Sequence, residues 1–126
     1  MHYLIDSNIL IYACSAEYIF VSEFIYENLP LISVISKIEV LGYHKLKQRD
    51  KIILSNIIDI LQIEKLSEDI VEKAIELRQK HRLKLGDAII AATALVNDDV
   101  LVTRNIRDFR KIQDLKILDL FTDRKE

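Results

Sequence analysis

Apolar residues recur along this chain in two alternating patterns, short strand-like runs and longer stretches with a helical period. The strand-like runs cover residues 2–5, 31–34, 63–66, 100–102 and 116–118, of which the third and the fifth are the weakest. The helical stretches cover residues 8–14, 17–27, 36–46, 53–61, 67–77 and 87–96. Strands that alternate with helices favour a parallel sheet covered on both faces. The pattern therefore predicts an α/β fold whose central, mostly parallel sheet has four to five strands.

Three acidic residues stand where a strand-like run gives way to a helical stretch. Asp6 follows the first strand, Glu39 comes shortly after the second, and Asp87 lies at the start of an alanine-rich helix. The carboxyl ends of parallel strands meet along one edge of the sheet, so these acids can converge there. Carboxylates without histidine or cysteine are typical ligands of a hard divalent cation. The sequence therefore predicts a site for Mg²⁺ or Mn²⁺.

Each of these acids also has a purely structural explanation as a helix cap. Asp6 or Ser7 is suited to cap the helix that follows, and residues 36–39 match the S-x-x-E capping box. Asp87, directly after Gly86, is suited to the N-cap position. The two explanations are compatible, because a helix N-terminus stabilises a negative charge.

The predicted sheet separates these acids from the others near it. Asp98 and Asp99 precede the fourth strand and are expected at the opposite edge, while Asp119 and Asp123 follow the last apolar run. We predict that all four are solvated. Residues 103–109 follow the fourth strand, on the edge of the predicted site, and supply a hydroxyl, an amide, a carboxylate and two guanidinium groups.

Length and composition narrow the class of protein. The 126 residues fit one domain, 1–126, and a net charge of -2 excludes a protein that coats nucleic acid by overall basicity. A mean hydropathy of +0.12 is high for a small monomer and indicates oligomerisation. Cys14 is the only cysteine, which excludes an internal disulfide. With no secretory leader pattern and no apolar run of membrane-spanning length, we expect a cytoplasmic protein without membrane contact.

Several kinds of enzyme site are missing from the sequence. His2, His44 and His81 are far apart and form no zinc-binding spacing. The chain has neither a phosphate-binding glycine loop nor a G-x-S-x-G nucleophile elbow. These observations argue against zinc hydrolysis, nucleotide hydrolysis and serine chemistry.

Four segments in order, together with the chain length, resemble a known family. They are residues 4–10 (LIDSNIL), 35–42 (ISKIEVLG), 85–92 (LGDAIIAA) and 101–105 (LVTRN), the last with Asp108 and Phe109 behind it. They resemble the PIN domains, and within them the VapC-type ribonuclease toxins of toxin–antitoxin pairs. The resemblance covers nearly the whole chain and implies a three-layer α/β/α sandwich.

The resemblance also implies site residues, matched position by position. Asp6, Glu39 and Asp87 correspond to the family's catalytic, metal-binding acids. A fourth acid of many members falls at Asn105, and an amide binds a cation less strongly than a carboxylate. Asp108, or a phosphate of the RNA, is the alternative source of the missing charge.

The activity implied is hydrolysis of an RNA phosphodiester bond by a metal-activated water. Ser7, Asn8 and Thr103 are expected to be auxiliary residues of the site. The basic residues expected to hold the RNA backbone are Arg104, Arg107, Arg110 and Lys111, with Arg82 and Lys84 as a second group. An ordinary solvated charge run explains these basic residues equally well.

The resemblance further implies a homodimer and a cognate antitoxin that covers the acidic groove. Two other functions suit the sequence. One is a phosphoacceptor receiver domain, an α/β signalling module with an acidic pocket. The other is a PIN scaffold that binds RNA or protein without cutting, which the neutral Asn105 favours.

Overall fold

The structure of the protein is a computed structural model, in which residues 2–122 are described. Its strands are β1 (Tyr3–Ile5), β2 (Leu31–Ser33), β3 (Ile63–Glu64), β4 (Val100–Val102) and β5 (Lys116–Leu118). Its helices are α1 (Ser7–Tyr12), α2 (Ile19–Asn28), α3 (Val34–Leu41), α4 (Gln48–Ile60), α5 (Glu68–Lys80), α6 (Leu85–Asn97) and α7 (Ile106–Phe109), with a 3-10 turn at Ala16–Tyr18. Every predicted element is therefore present, including the two weakest strands.

The five strands form one sheet in the order β3-β2-β1-β4-β5, and every neighbouring pair is parallel. The direction in which successive strands are added reverses between β1 and β4, and ligands of open α/β sheets bind at such a point. Receiver domains have the order 2-1-3-4-5. The observed order therefore excludes the receiver interpretation.

The core lies on both faces of the sheet because side chains alternate along each strand. Leu4 and Leu101 pack with the buried sides of α5 and α6, whereas Ile5 and Val102 pack with α1, α2 and α4. The α/β/α sandwich predicted from the sequence is thus confirmed. Within residues 2–122, no helix has both the length and the apolar character needed to cross a bilayer.

The helix that carries Glu39 is shifted towards the N-terminus relative to the prediction of residues 36–46. It begins at Val34, because the hydroxyl of Ser33 accepts a hydrogen bond from the backbone N–H of Ile35, and it ends at Leu41 before Gly42. Glu39 is therefore in the interior of the helix, beyond its first turn. The capping-box explanation of Glu39 is wrong, and its carboxylate is available for other contacts.

The caps of the other two acids differ from each other. The Asp6 carboxylate accepts a hydrogen bond from the backbone N–H of Ile9 and caps α1, as predicted. Helix α6 starts at Leu85 with Lys84 as its N-cap, so Asp87 lies in the first turn instead of at the cap. A carboxylate in that position still interacts favourably with the positive end of the helix dipole.

Two acids that we predicted to be solvated are buried. Asp99 is 3% exposed and Asp119 is 9% exposed, because the side chains of both are packed within the folded chain. The backbone N–H of Phe121 donates to Asp119. Asp98 is exposed as predicted, and Asp123 lies outside the described residues.

Candidate active site

The predicted acids line one cleft at the carboxyl ends of β1 and β4, where the strand order reverses. The cleft has a volume of about 260 Å³. Its walls come from α1, α3, α6 and the segment after β4. The lining residues are Asp6, Ser7, Asn8, Ile11, Glu39, Val40, Lys84, Asp87, Ile90, Asn105 and Asp108. Folding therefore brings together the acids that lie far apart in the sequence.

Asp6 is the most deeply buried acid of the cleft, with 5% of its surface exposed. Its Oδ1 accepts a hydrogen bond from the backbone N–H of Ile9 at 3.1 Å, and its Oδ2 accepts one from the hydroxyl of Thr103. Burial raises the pKa of Asp6 to about 6, and the charge of Asp87 adds to the rise, although both hydrogen bonds oppose it. Asp6 is thus held in one orientation, and a cation beside it would favour its charged form.

Glu39 is oriented by two contacts outside its own helix. The Ser7 hydroxyl donates to Glu39 Oε1 at 2.5 Å, and Ser7 Oγ lies 3.0 Å from the hydroxyl oxygen of Ser36 in a second hydrogen bond. The other carboxylate oxygen faces Gly86, where an added Cβ would lie only 2.6 Å from it. Gly86 therefore leaves the space that the Glu39 carboxylate occupies.

Asp87 is surrounded by charges of both signs. Burial raises its pKa, the neighbouring Lys84 lowers it, and the negative charges of Asp108 and Glu39 raise it further. Repulsion between carboxylates of this kind is relieved when a cation binds among them. The charges around Asp87 therefore favour a bound cation.

The segment after β4 carries a chain of hydrogen bonds towards Asp6. Thr103 donates to Asp6 and accepts from the backbone N–H of Asn105 at 3.0 Å. The side-chain amide of Asn105 donates to Asp108 Oδ2 at 3.0 Å, and both residues line the cleft. Asn105 and Asp108, the two candidates for the fourth position of the site, are thus joined by a hydrogen bond.

This geometry agrees with the comparison with known families. Residues 3–115 match the family model of the PIN domain. The chain belongs to the PIN domain family. Comparison of this PIN domain with the curated proteins gives no match.

Solved structures similar to this PIN domain include several toxin–antitoxin complexes. A toxin–antitoxin complex from Klebsiella pneumoniae is 33% identical, covering 93% of this chain and 96% of the matched chain, with a TM-score of 0.77. VapBC2 from Rickettsia felis, bound to a promoter DNA fragment, is 26% identical over 94% and 98% of the two chains, with a TM-score of 0.78. DNA-bound VapBC from Salmonella typhimurium, at 22% identity over 94% and 98% and a TM-score of 0.83, shares the fold.

The donor chemistry of the cleft fits a hard divalent cation. Its acids and the amide of Asn105 supply only oxygen ligands, as Mg²⁺ prefers. In the part of this PIN domain that the structure describes, no three histidine, cysteine, aspartate or glutamate side chains form a ready set of metal ligands. The acids share a cleft, with Asp6 and Glu39 already oriented by hydrogen bonds.

The predicted basic residues are distributed unevenly around the cleft. Lys84 lines it, whereas Arg104, Arg107, Arg110 and Lys111 are exposed and are not among its lining residues. Lys111 donates to the backbone carbonyl of Arg82 at 3.3 Å. The role of these four residues in RNA binding stays a prediction.

Arg104 packs against aromatic rings instead of pointing into the cleft. Its guanidinium carbon lies 4.0 Å from the ring centre of Phe121 and 5.4 Å from that of Tyr12. Hydrogen bonds to Tyr12 and Tyr18 raise the pKa of Arg104. The side chain therefore joins α1 and the segment before α2 to the chain after β5.

Sequence reasoning missed two residues that help to build the cleft. Ser36, which the sequence places at the start of a capping box, is fully buried and bonds to Ser7. Gly86, which precedes Asp87 in the sequence, leaves the space that the Glu39 carboxylate occupies. A glycine beside an acid at the start of a helix, where glycine is unfavourable, was the available signal.

Proposed function

We propose that this PIN domain is a metal-dependent endoribonuclease that hydrolyses RNA phosphodiester bonds. The observation that supports this most strongly is the gathering of Asp6, Glu39, Asp87, Asn105 and Asp108 around one cleft at the reversal of strand order. A cleft with this many carboxylates repels an RNA phosphate unless a cation is present. Metal dependence thus follows from the same observation as the site.

Asp6, Glu39 and Asp87 would hold Mg²⁺ or Mn²⁺, with Asn105 or Asp108 completing the set. When bound, such a cation lowers the pKa of a bound water and stabilises charge that develops on phosphate oxygens. Asn105 supplies a neutral oxygen, so the negative charge in that corner has to come from Asp108 or from the RNA. The hydrogen bond between Asn105 and Asp108 keeps both within the cleft.

The surrounding residues hold the carboxylates in place. Thr103 fixes Asp6 from the end of β4, and Ser7 fixes Glu39 from the start of α1. Asn8 and Lys84 line the cleft beside them. The Lys84 ammonium is suited to contact an RNA phosphate. Among the described residues, Lys84 is the basic side chain that lines the cleft, and its charge lowers the pKa of Asp87.

Similarity to toxin–antitoxin complexes supports the further proposal that this ribonuclease is the toxin of such a pair. A small antitoxin would then cover the cleft, and two copies of the toxin would associate. Exposed apolar residues on α3, α5 and α6, among them Ile38, Ile75 and Leu85, are available for such contacts. Light scattering of the purified protein and co-purification with a protein encoded beside it test these assemblies.

The test of the enzymatic proposal is incubation of the purified protein with total RNA. Cleavage is expected with Mg²⁺ or Mn²⁺ and is expected to stop when a chelator is added. The metal is also expected to raise the thermal midpoint, because it binds the folded state alone. A protein whose midpoint does not respond to metal, and which cuts no RNA, would instead be a binding scaffold.

A further inference from the structure

A second pocket adjoins the acidic cleft on the side of α1 and α3. It has a volume of about 350 Å³, at the small end of the range for small-molecule sites. Ile11 and Val40 line both cavities, so the second pocket lies next to the cleft. The other lining residues are Cys14, Tyr43, Lys45, Leu46, Lys47, Asp50 and Leu54.

The floor of this pocket is apolar and its rim is aromatic and basic. Leu54 at the floor is buried, whereas Tyr43 is 54% exposed. Tyr43, Lys45 and Lys47 belong to the turn between α3 and α4, in which the backbone N–H of Leu46 donates to the Tyr43 carbonyl. A short segment thus presents one aromatic ring and two ammonium groups beside the cleft.

The one acid on the rim is already matched by a cation. Arg49 Nη1 donates to Asp50 Oδ1 at 3.0 Å, and Nη2 of the same guanidinium donates to the carbonyl of Cys14. Lys45 and Lys47 are exposed and form none of the ion pairs found among residues 2–122. The rim therefore carries a net positive charge next to a strongly acidic cleft.

We infer that this pocket binds a nucleotide of the substrate RNA next to the bond that is cut. The base lies against Tyr43 and the apolar floor, and its phosphate lies at Lys45 and Lys47. Single-stranded RNA is commonly held in this way, by an aromatic platform combined with basic side chains along the backbone. The inference rests on the proposed ribonuclease function and adds to it a subsite for one unpaired nucleotide.

An apolar side chain of a protein partner is the competing occupant. Such a side chain would fill the apolar floor of the pocket but would leave the positive charges of Lys45 and Lys47 on the rim without a partner. A nucleotide matches both parts, because its base is flat and weakly polar and its phosphate is an anion. Charge complementarity therefore favours RNA.

The test compares Tyr43→Ala and the double variant Lys45→Ala/Lys47→Ala with matched controls. Tyr26→Ala is the aromatic control, because Tyr26 on α2 is 55% exposed and lines neither cavity. The basic control is Lys65→Ala/Arg78→Ala, which removes two exposed positive charges from residues that line neither cavity. Binding of a short fluorescein-labelled single-stranded RNA is measured by anisotropy with Mg²⁺, in the Asp87→Asn background so that cleavage does not interfere. Circular dichroism confirms that each variant is folded.

Both test variants are expected to bind this RNA roughly tenfold to a hundredfold more weakly, and the controls are expected to bind it unchanged. Tyr43→Phe should restore binding, because it keeps the aromatic ring, whereas Tyr43→Leu should not. With Asp87 restored, Tyr43→Ala should raise KM for RNA and leave kcat within a few-fold. Binding that Tyr43→Ala leaves unchanged would overturn the subsite, as would an equal loss in Tyr26→Ala.

The outcomes separate this inference from the proposed function. If the unmutated protein cleaves RNA with metal and the Tyr43 and lysine variants bind RNA unchanged, the ribonuclease proposal is supported and the subsite is contradicted. If these variants lose RNA binding but the unmutated protein does not cleave RNA, the pocket is an RNA-binding site of a non-catalytic protein and the ribonuclease proposal is wrong. If Tyr43→Ala instead releases a co-purifying protein and leaves RNA binding intact, the pocket is a protein-docking site and the inference is wrong.

Discussion

Ser7 at the start of α1 donates a 2.5 Å hydrogen bond to Glu39 in the interior of α3. The two residues are 32 positions apart in the sequence and follow neighbouring strands of the sheet. The contact therefore fixes the distance between two walls of the cleft. Ser7 acts as a positioning residue for a carboxylate that we assign to the metal.

Replacing Ser7 with alanine is expected to weaken metal binding without unfolding the protein. Loss of a hydrogen bond that orients a metal ligand typically costs about 10- to 100-fold in affinity or activity. Titration calorimetry with Mn²⁺ measures this loss, and Ser7→Thr should recover most of the affinity because it keeps the hydroxyl. Ser55→Ala, on α4, is the control. If Ser7→Ala and Ser55→Ala bind Mn²⁺ with equal affinity, Ser7 does not position a metal ligand.

Gly86→Ala is expected to change stability and activity in opposite directions. Alanine is favoured over glycine inside a helix by about 1 kcal/mol, so α6 should become more stable. The new methyl group would lie 2.6 Å from the Glu39 carboxylate and would displace it, so cleavage should fall. Thermal unfolding and a cleavage assay on the same preparation check both effects. A stabilised variant with full activity would show that the position of Glu39 is unimportant.

Asn105→Asp tests which residue completes the site. The substitution removes the amide that donates to Asp108, and the new carboxylate at position 105 would repel the carboxylate of Asp108. The metal-free variant should therefore be less stable by about 1 kcal/mol. The same substitution adds a charged ligand, so Mn²⁺ should raise its thermal midpoint more than it raises that of the unmutated protein. Asp108→Asn should show a smaller rise. If Asp108→Asn responds to metal like the unmutated protein, Asp108 is not a ligand.

Asp99 lies away from the cleft and gives the protein a separate pH dependence. It is 3% exposed, and its Oδ2 has no hydrogen-bond partner in the described part of the chain. Burial raises the pKa of Asp99 above the ordinary 3.8. The negative charges of Glu64 and Asp98 raise it further, and the charge of His2 lowers it. Between 3.8 and the raised pKa, the folded state keeps a proton that the unfolded state has lost. The contribution of Asp99 to stability therefore falls as the pH rises through this window.

Asp99→Asn should consequently stabilise the protein at about pH 7, by about 1 kcal/mol, which is the low end of the cost of an unsatisfied buried group. The gain should shrink towards about pH 3, where Asp99 is protonated in both states. Urea unfolding at the two pH values measures it. Asp59→Asn is the control, because Asp59 on α4 is exposed and is not among the charges that shift the pKa of Asp99. A gain that is independent of pH would show that charge is not its cause.

The sheet and the acids of the site were predictable because their signals are local. Each strand is a short apolar run, and the order of strands and helices requires parallel pairing. Asp6 and Asp87 stand at the junctions that such a sheet brings to one edge. The convergence of these acids followed from topology and did not require a knowledge of side-chain contacts.

The features that were missed depend on contacts between distant segments. Asp99 looks solvated in sequence, and only the packed fold shows that its side chain is covered. The cap of α3 at Ser33 competes with a capping box three residues later, and local pattern cannot decide between them. The pocket at Tyr43 exists because the turn after α3 packs beside α1. Its two lysines are separated by Leu46, and local sequence does not show that they border a pocket with Tyr43.

The most direct test of the ribonuclease assignment is RNA cleavage by four proteins at one Mn²⁺ concentration: the unmutated chain, Asp6→Asn, Asp87→Asn and Asp69→Asn. Asp69 is an exposed acid in the first turn of α5, so its variant matches the charge change outside the cleft. We predict that the unmutated protein and Asp69→Asn cut RNA equally and that Asp6→Asn and Asp87→Asn lose at least about 100-fold in rate. Undiminished cleavage by Asp6→Asn and Asp87→Asn would contradict the assignment.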